Sequence, residues 1–453
     1  MNHPVFPDAG GSPARTAALL PVDDALRVEL HNEVHARPQA HIRLPALISY
    51  VAVLNRDVSR EDECAHLRLL PEQQALGLQA LQGNFLRLRL RLGGYTVKWE
   101  RHSEFTRYSI VQPLPDGAGL GAAQPALFDR LATPPGWLAA IPGRTIAALQ
   151  LVMLEDELAD SQHLMRQAET WFGPRRTLVA STMGRGHSCV VTDFMLQGDG
   201  FERLLVLFRP GGTLTRAGRV AGRLTELETY RMLALRGLPV AKSIAPALAE
   251  VEAELAELTA QLDSRAETEQ QLLDRLIALA ARVERSTAEH GYRFSATRAY
   301  ADLVEQRIAE LREQTIPGHQ TLGEFMRRRV SPAIATVAST ERRLAALSER
   351  VSRTSDLLRT RVNIVAEGQN QQLLEKLTRG QELQLRLQST VEGLSIAAIS
   401  YYVVSLLLYG AKALKGLGVP LQPELTAGAL VPVVLWGVWR TTRRIHEKLH
   451  AGH

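Results

Sequence analysis

The stretch "LSIAAISYYVVSLLLYG" at residues 394–410 contains no charged side chain, and Gly393 and Ala411 on either side of it add none. As an α-helix, the uncharged run from Gly393 to Ala411 would extend about 28 Å, close to the hydrocarbon thickness of a bilayer. A buried helix of a soluble protein usually carries a polar face. Here the only polar side-chain atoms are Ser and Tyr hydroxyls, which lipid tolerates because they can bond back to the helix. The run therefore predicts a membrane span.

A second apolar run, "LTAGALVPVVLWGVW", extends from Leu425 to Trp439. It is shorter and contains Pro432, but Trp436 and Trp439 lie where the aromatic belt of a membrane span is expected. The stretch "KALKGLGVPLQPE" at 412–424 predicts a short loop between the two runs. The alternative for the second run is a buried helix of a soluble protein. The two runs predict a C-terminal two-helix transmembrane hairpin at 393–439, with spans at 393–411 and 425–439.

Charge predicts the orientation of this hairpin. The stretch "RTTRRIHEKLH" at 440–450 carries four Lys or Arg residues against one glutamate, and basic segments beside a membrane stay in the cytoplasm. Because two spans put both chain ends on one side, both termini are expected in the cytoplasm. The start of the chain has no basic segment followed by an apolar run, so no secretory signal is evident. We expect a disordered tail at 1–20 and a basic cytoplasmic tail at 440–453.

Length and composition place the chain among folded proteins. Its 453 residues suffice for two or three structural units, and 45% hydrophobic with 22% charged residues exclude wholesale disorder. The net charge of +5 comes from basic residues, nearly all arginine, that are spread along the chain, so no nucleic-acid partner is expected. Cys64 and Cys189 are the only cysteines, too few for a disulfide framework and not spaced as a zinc site.

Heptad spacing dominates the middle of the chain. Between Leu248 and Leu262 the apolar residues follow one another at intervals of three and four, falter at 265–269, and then resume. This spacing is typical of a coiled-coil seam. The sequence "TIPGHQ" at 315–320 breaks the helix, because it contains Pro and Gly together. The pattern predicts an antiparallel coiled-coil hairpin over 241–392. A compact helical bundle is the alternative, and the same heptads are also compatible with a homo-oligomer.

The N-terminal part of the chain mixes strand and helix patterns. "FLRLRLRLGGYTVKW" at 85–99 alternates leucine with arginine up to a Gly-Gly pair and then resumes the alternation, which is a β-hairpin pattern. The order of elements over 21–240 favours an α+β cytoplasmic domain around a largely antiparallel sheet. Further strands are predicted at 46–54, 105–111, 146–154, 177–182, 188–196 and 202–208, and helices near 23–35, 60–82, 125–132, 155–172 and 218–236.

Two polar clusters in this domain are candidate metal sites, and the first lies in "ELHNEVHARP" at 29–38. His31 and His35 are four residues apart and would share one helix face, a workable spacing for two metal ligands. The zinc-protease motif is absent, since Glu33 follows the first histidine by two positions instead of one. The alternative is a helix-end cluster in which the histidines interact with the terminal carbonyls.

The second cluster lies in "KWERHSEFTRY" at 98–108. In an extended chain Glu100, His102 and Glu104 would point to one face. A carboxylate–imidazole–carboxylate row can bind a divalent cation or hold a proton-transfer histidine. The alternative is a solvated sheet face with alternating charges. We assign no catalytic residue and predict no cofactor from the sequence.

Five stretches form long motifs: "LHNEVHARP" at 30–38, "KWERHSEF" at 98–105, "ELETYRMLALRGLP" at 226–239, "RFSATRAY" at 293–300 and "TVEGLSIAAISYYVV" at 390–404. Through them the chain, from about residue 25 to its end, resembles a bacterial family of predicted membrane-anchored proteins catalogued only as a domain of unknown function. The resemblance implies a membrane-anchored protein, in agreement with the predicted spans. Together with the predicted orientation, it leads us to expect the bacterial inner (cytoplasmic) membrane. It implies no activity.

The architecture is also similar to that of the CorA-type divalent-cation channels. There the first span ends in Tyr-Gly-Met-Asn, and the loop after it contains Pro-Glu-Leu. Here the first span ends "YGAK" at 409–412, and the loop contains "PEL" at 423–425. The Met-Asn pair is absent, and a lysine lies where a cation filter needs an oxygen ligand. These differences argue against magnesium selectivity.

Three functions are compatible with these patterns. The first is a non-enzymatic, membrane-anchored coiled-coil protein that serves as an oligomeric scaffold or sensor. The second is a CorA-like oligomeric ion channel that lacks the usual filter. The third is a membrane-tethered domain that binds a ligand or metal through the His31/His35 or Glu100/His102 clusters. The first needs the fewest assumptions. The expected partners are the lipid bilayer and further copies of the chain, and a divalent cation is the ligand that the clusters suggest.

Overall fold

The strand patterns of the N-terminal part form one sheet in a computed structural model of the chain. The structure describes residues 24–27, 30–31, 40–120, 125–158, 160–173, 176–264, 268–416 and 422–450. The strands are β1 (Ala46–Leu54), β2 (Phe85–Leu90), β3 (Tyr95–Arg101), β4 (Phe105–Pro113), β5 (Arg144–Glu155), β6 (Val179–Met183), β7 (Ser188–Leu196), β8 (Glu202–Phe208) and β9 (Gln314–Thr315).

The sheet is mixed, with the strand order β2-β3-β4-β1-β5-β8-β7-β6-β9. Of the strand pairs in the described residues, β5–β8 is parallel and the others are antiparallel. A parallel pair requires a crossover connection, which here contains a helix and the β6–β7 hairpin. The domain is therefore α/β, not the α+β domain that the sequence predicts. The predicted strands coincide with β1 to β8 to within a few residues, and β9 was not predicted.

Helices cover both faces of the sheet. Central strand β1, "ALISYVAVL", is buried along nearly its whole length, which explains its continuous apolar sequence. The described helices are α1 (Arg60–Leu67), α2 (Ser161–Phe172), α3 (Leu214–Leu235), α4 (Gly237–Ser264), α5 (Glu269–Leu311), α6 (Leu322–Arg329), α7 (Ser331–Gly416) and α8 (Pro423–His450).

The two faces have separate cores. On one face α3, α5 and α6 pack against the sheet, with Leu227, Ile308 and Met326 among the buried residues of this core. On the other face α2 packs through Leu164, and α1 packs beneath the β2–β3–β4 part of the sheet through Leu67. On the face of the sheet that packs against α3, α5 and α6, the side chains of β2, β3 and β4 therefore point toward α3.

The chain divides into two units. The first contains Met1–Glu257 and Ala278–Val351, and the second contains Leu258–Ile277 and Ser352–His453. The sheet lies in the first unit. Helices α4, α5 and α7 each contribute to both units, because each passes from one range to another.

The heptad region before the predicted break forms two antiparallel helices, α4 and α5, and not one long arm. In the first unit, Arg282 on α5 lies 2.9 Å from Glu254 on α4. In the second unit, Arg275 on α5 donates to Gln261 on α4 at 3.0 Å. Helix α4 ends at Ser264 and α5 begins at Glu269, on either side of the interval in which the heptads falter. The C-terminal part of α5 joins the core beside the sheet through Ile308.

Helix α7 lies beside both of these helices in the first unit. Its Arg343 is 2.9 Å from Glu252 on α4, and its Glu341 pairs with Arg298 on α5. Over 241–392 the described helices are thus α4, α5, α6 and α7 instead of two continuous arms, and coiled-coil geometry stays a prediction. The buried heptad residues are Leu248, Val251, Leu255, Leu258, Leu272, Leu276, Leu279, Val283, Leu344, Leu347, Val351 and Leu358.

Two helical segments are long and apolar enough to cross a membrane, by length and composition. They are Leu214–Leu262 and Leu322–Leu414. Within the most apolar 18 residues of each segment, 33% of the residues are buried in the first and 6% in the second. The second segment includes the whole uncharged run at 393–411. The predicted second span at 425–439 lies on α8, which is not among these segments in the part of the chain that the structure describes. The two-span hairpin therefore stays a prediction.

A buried histidine predicts how stability depends on pH. His66 is 5% exposed and stacks on Trp137, with ring centroids 4.5 Å apart. Neither ring nitrogen has a hydrogen-bond partner among the described residues, and burial lowers the pKa of His66 from 6.5 to about 4. The unfolded chain therefore binds a proton between these values that the folded chain does not bind. We expect the free energy of unfolding to fall by about 2 kcal/mol between roughly pH 7.5 and 5.

Urea unfolding of detergent-solubilised protein at several pH values measures this dependence. His66→Phe should remove the His66 contribution to the slope, because phenylalanine keeps the ring stack and has no titrating group. An unchanged slope in the variant would contradict the assignment. The exposed His163→Phe serves as the control and should retain the slope.

Candidate functional site

A cavity of about 410 Å³ lies between the first face of the sheet and α3. Strands β1 to β4 form its floor, α3 forms the opposite wall, and α5 closes one side. The segment before β1 also reaches α3 here, because the Ile42 amide donates to the Leu214 carbonyl at 3.1 Å. Gly218 on α3 lets the backbone of Ala40 approach closely. All of these elements belong to the first unit of the chain.

Strand register aligns polar side chains across the floor of the cavity. Arg87 on β2 is opposite Lys98 on β3, which is opposite Ser109 on β4. In the next row Glu100 on β3 is opposite Arg107 on β4. The alternation in the sequence produces this surface, because the intervening leucine and aromatic residues point to the core on the other face. The predicted two-faced hairpin is therefore the basis of the floor.

Glu100 is the most deeply buried carboxylate of the cavity, with its side chain 1% exposed. Arg107 binds it through two nitrogens, with Nε 2.6 Å from Oε2 and Nη2 2.9 Å from Oε1. The Nζ atom of Lys98 lies 2.9 Å from Oε2. Burial alone would raise the pKa of Glu100, but Arg107 and Lys98 hold it below its usual value. Glu100 is therefore ionised, and its oxygens are already engaged.

Ion pairs continue from the floor to both helices. Arg107 Nη1 lies 3.1 Å from Glu226 Oε1 on α3, and Arg307 Nε on α5 lies 2.7 Å from Glu226 Oε2. Arg307 Nη1 is in turn 2.9 Å from Glu310 Oε1. The other carboxylate oxygen, Glu310 Oε2, is 3.1 Å from Arg223 Nε on α3. This chain of charges connects the sheet, α3 and α5. The network therefore links the three elements that surround the cavity, in addition to the apolar core that they share.

Cations outnumber carboxylates around the cavity. Arg87 and Arg219 make no ion pair or hydrogen bond within the described part of the chain. Burial and the nearby Arg89 lower the pKa of Arg87, as expected for a cation without a compensating anion. The lining contains six cationic side chains, Arg87, Lys98, Arg107, Arg219, Arg223 and Arg307, and three carboxylates, Glu100, Glu226 and Glu310.

The structure does not bring the predicted metal ligands together. Glu100 binds Arg107 and Lys98, whereas Glu104 pairs with Arg293 on α5, and His102 stacks on Phe105 with ring centroids 4.4 Å apart. Strand β3 ends before His102, so the extended alternation that would align the row stops there. In the described ranges no group of three or more His, Cys, Asp or Glu side chains is placed to hold a metal ion.

The predicted histidine pair at the N-terminus is only partly covered by the structure. His31 is exposed, and His35 lies outside the described residues. The pair therefore stays a prediction. His41, six residues further along the chain, lines the cavity and is exposed.

The partners of Glu100 are not evident from the sequence. Arg107 is a charged residue inside the otherwise mostly apolar strand "FTRYSIVQP", which is the signal that could have identified it. Glu226 and Arg307 lie on helices with ordinary polar and apolar patterns. Nothing local indicates that Arg107 meets Glu226, because 119 positions separate them in the chain.

Three of the sequence motifs meet beside the cavity. Lys98 and Glu100 come from the motif at 98–105, and Glu226 and Tyr230 come from the motif at 226–239. Tyr300, from the motif at 293–300, stacks on Tyr230 with ring centroids 5.9 Å apart. A family model described as "Protein of unknown function (DUF3422)" matches residues 22–449. The chain belongs to this family.

The DUF3422 match spans both the α/β domain and the long helices. No curated protein and no solved structure matches the chain. The similarity to CorA-type channels therefore stays a prediction. Because the DUF3422 description states no activity, the function of this member has to be argued from its own residues.

Proposed function

We propose that this DUF3422 protein is a membrane-anchored scaffold or sensor of the bacterial inner membrane, with the uncharged run of α7 as its anchor. The supporting observation is that apolar side chains along this run are exposed, with Tyr401 at 71% and Leu406 at 70%. Exposed apolar surface costs about 25 cal/mol per Å² in water, and the hydrocarbon of a bilayer removes that cost. The other strongly exposed apolar side chains of the run are Leu394, Ile399, Tyr402, Leu407 and Tyr409.

The other apolar segment, Leu214–Leu262, is better explained as part of the protein core. Its first helix, α3, buries Leu224, Leu227 and Leu233 against the sheet. A core helix passes the same length and composition test as a membrane span. The anchor therefore belongs to α7 and not to α3 or α4.

We assign α8 as a second, shorter span that returns the chain to the cytoplasm. Its Leu425, Val433 and Trp436 side chains are exposed. The Arg440 guanidinium lies over the Trp436 ring, 4.9 Å from its centroid. A Trp–Arg pair at the end of an apolar run suits the membrane–water interface, where the ring lies among headgroups and the charge stays in water. This topology puts both termini and the α/β domain in the cytoplasm.

A charge-insertion experiment tests the anchor. We expect the double variant Tyr402→Arg/Leu406→Arg to move the protein from the carbonate-resistant membrane fraction to the soluble or aggregated fraction. Two arginines at the centre of a span cost about 5–7 kcal/mol on the insertion scale. The run on α8 is too short to anchor the chain alone, since a span needs about 20 residues.

The matched control for this experiment is Leu373→Arg/Leu377→Arg. These two leucines are also exposed on α7 and four residues apart, but they lie outside the uncharged run. The control should stay in the membrane fraction. Carbonate extraction of the unmodified protein, or equal loss of both double variants, would overturn the proposal.

The topology has its own test. Cys64 and Cys189 are buried, so new cysteines at the exposed positions Lys412 and Arg444 can be compared by labelling with a membrane-impermeant maleimide. Lys412→Cys should react in intact spheroplasts. Arg444→Cys should react only after permeabilisation. The reverse pattern would place the α/β domain outside the cytoplasm and contradict the proposed orientation.

We also propose that the protein is a homo-oligomer, because α7 carries exposed leucines between 357 and 387 that no described residue covers. The mass of the detergent-solubilised chain, measured by light scattering with the detergent contribution subtracted, tests this. A ring of about five copies would favour the ion-channel function over the scaffold function and would justify flux assays with divalent cations. A monomer would contradict the homo-oligomer, and a dimer would exclude a pore enclosed by two spans per copy.

A further inference from the structure

We propose that the cavity between the sheet and α3 is a binding site for a small organic anion that carries two or three negative charges. Phosphate esters and tricarboxylates belong to this class. The inference does not depend on membrane attachment, because the cavity is built entirely by residues of the first unit.

The size and lining of the cavity fit a small organic molecule. Its volume of about 410 Å³ is within the range of small-molecule sites in proteins. Phe85, Ile42 and Val111 provide apolar lining, and Lys98 lies over the Phe85 ring, 5.6 Å from its centroid. An inorganic ion would leave most of this space empty. The apolar lining therefore favours an anion with an organic body.

The charge of the lining selects an anion. Six cationic side chains face three carboxylates, and each of the carboxylates is already bound by an arginine. The lining therefore has a surplus of three positive charges. Arg87 is a partly buried cation that makes no ion pair among the described residues, which is costly, whereas Arg219 is exposed and adds positive charge at the rim. A di- or trianion beside Arg87 would therefore stabilise the domain. A metal cation would meet repulsion and no free carboxylate.

The floor offers suitable donors to such an anion. Arg87 and Lys98 are neighbours on adjacent strands, and Ser109 extends the same row. Arginine matches the oxygens of a phosphate or carboxylate with two parallel hydrogen bonds. Arg87 has no competing partner among the residues that the structure describes. We therefore assign Arg87 as the principal contact of the anionic group.

Gly222 provides a way to block the cavity without changing its charge. It lines the cavity from α3, and a Cβ atom built there meets nothing within 4 Å. A leucine at this position would occupy the open space. The helix would lose nothing by the change, because leucine has a higher helix propensity than glycine.

The test is isothermal titration of the full-length protein in detergent with citrate, ribose 5-phosphate and inorganic phosphate at matched ionic strength. We expect saturable binding of citrate or ribose 5-phosphate, tighter than that of inorganic phosphate. Arg87→Gln should weaken this binding at least about tenfold, and Gly222→Leu should abolish it. Arg87→Gln should fold normally, because Arg87 makes no ion pair or hydrogen bond within the described structure.

The control is Arg91→Gln, which removes the same charge from the same hairpin. Arg91 is exposed and does not line the cavity, so its loss should leave binding within about twofold of the unmodified protein. If Arg91→Gln and Arg87→Gln weakened anion binding equally, the binding would be due to general electrostatic attraction. That result would contradict the assignment of the cavity as the binding site. Absence of saturable binding for all three probes would also overturn it, as would full binding by Gly222→Leu.

Discussion

Replacing Arg107 by methionine is expected to lower the free energy of unfolding by about 3–5 kcal/mol, the usual cost of breaking a buried ion pair from one side. Arg107 binds the buried Glu100 through two nitrogens and also reaches Glu226. Without it, Glu100 keeps only Lys98 as a partner. Urea unfolding followed by tryptophan fluorescence measures the loss, because Trp99 is fully buried in this part of the domain.

A second variant separates the ion pair from simple packing. Arg107→Met/Glu100→Leu removes the buried charge together with its partner, so we expect it to recover at least half of the loss. Lys98 then has no carboxylate, but it is partly exposed and can be hydrated. The control Arg298→Met removes an arginine from an exposed pair with Glu341 and should cost less than about 1 kcal/mol. Equal losses in the single and double variants would contradict this account.

Gly218→Ala is expected to destabilise the domain by about 3 kcal/mol, at the upper end of the usual cost of overpacking. An added Cβ atom would lie only 1.6 Å from the carbonyl oxygen of Ala40. A backbone oxygen cannot move aside as the end of a flexible side chain can. Either α3 or the segment before β1 must therefore shift. The hydrogen bond from the Ile42 amide to the Leu214 carbonyl would be strained by that shift.

Gly222→Ala is the matched control for this change. Gly222 lies one turn further along α3, and an added Cβ atom there meets nothing within 4 Å. We expect this variant to be as stable as the unmodified protein or up to about 1 kcal/mol more stable, because alanine favours a helix over glycine. Thermal unfolding of the two variants side by side makes the comparison. Equal stability would mean that Ala40 does not approach α3 as closely as the structure indicates.

The strands could be predicted from the sequence because their signal is local. The hairpin at 85–99 alternates leucine and arginine, and a period of two directly reports two faces. Strand β7 has the predicted bounds of 188–196. The exception is β9, a strand of two residues whose identity depends on pairing with β6 more than a hundred positions away. No local pattern reports such a pairing, and this is also why the parallel β5–β8 contact was not foreseen.

In the helical region, burial was predictable but the number of helices was not. The heptad leucines at 248–258 and 272–279 are buried, as their spacing indicates. The sequence predicts one helical arm that continues through the falter at 265–269. Contacts such as Arg282 with Glu254 show instead that α4 and α5 are two antiparallel helices. Periodicity describes one face of a helix and does not identify what packs against that face.

In the candidate site too, the sequence indicates a charged residue but not its partners. Glu100 stands out in the sequence as a charged residue on a strand, but the sequence favours a row with His102 and Glu104. The strand ends before His102, and Glu100 binds Arg107 and Lys98 instead. The pKa of a buried carboxylate depends on the distance to each neighbouring charge and on its removal from water. Both quantities arise only after distant elements have packed together.

The sequence by itself determined the elements with a strong local pattern: the alternating hairpin, the heptad helices and the uncharged run at 393–411. These elements follow from hydrophobic periodicity and charge, which depend on residues that are close together in the sequence. Only the tertiary structure decided that Arg107, Glu226 and Arg307 form one network and that Arg87 lines a cavity with a surplus of positive charge. The physical reason is that ion pairing and desolvation depend on distances in space between residues that lie far apart in the chain.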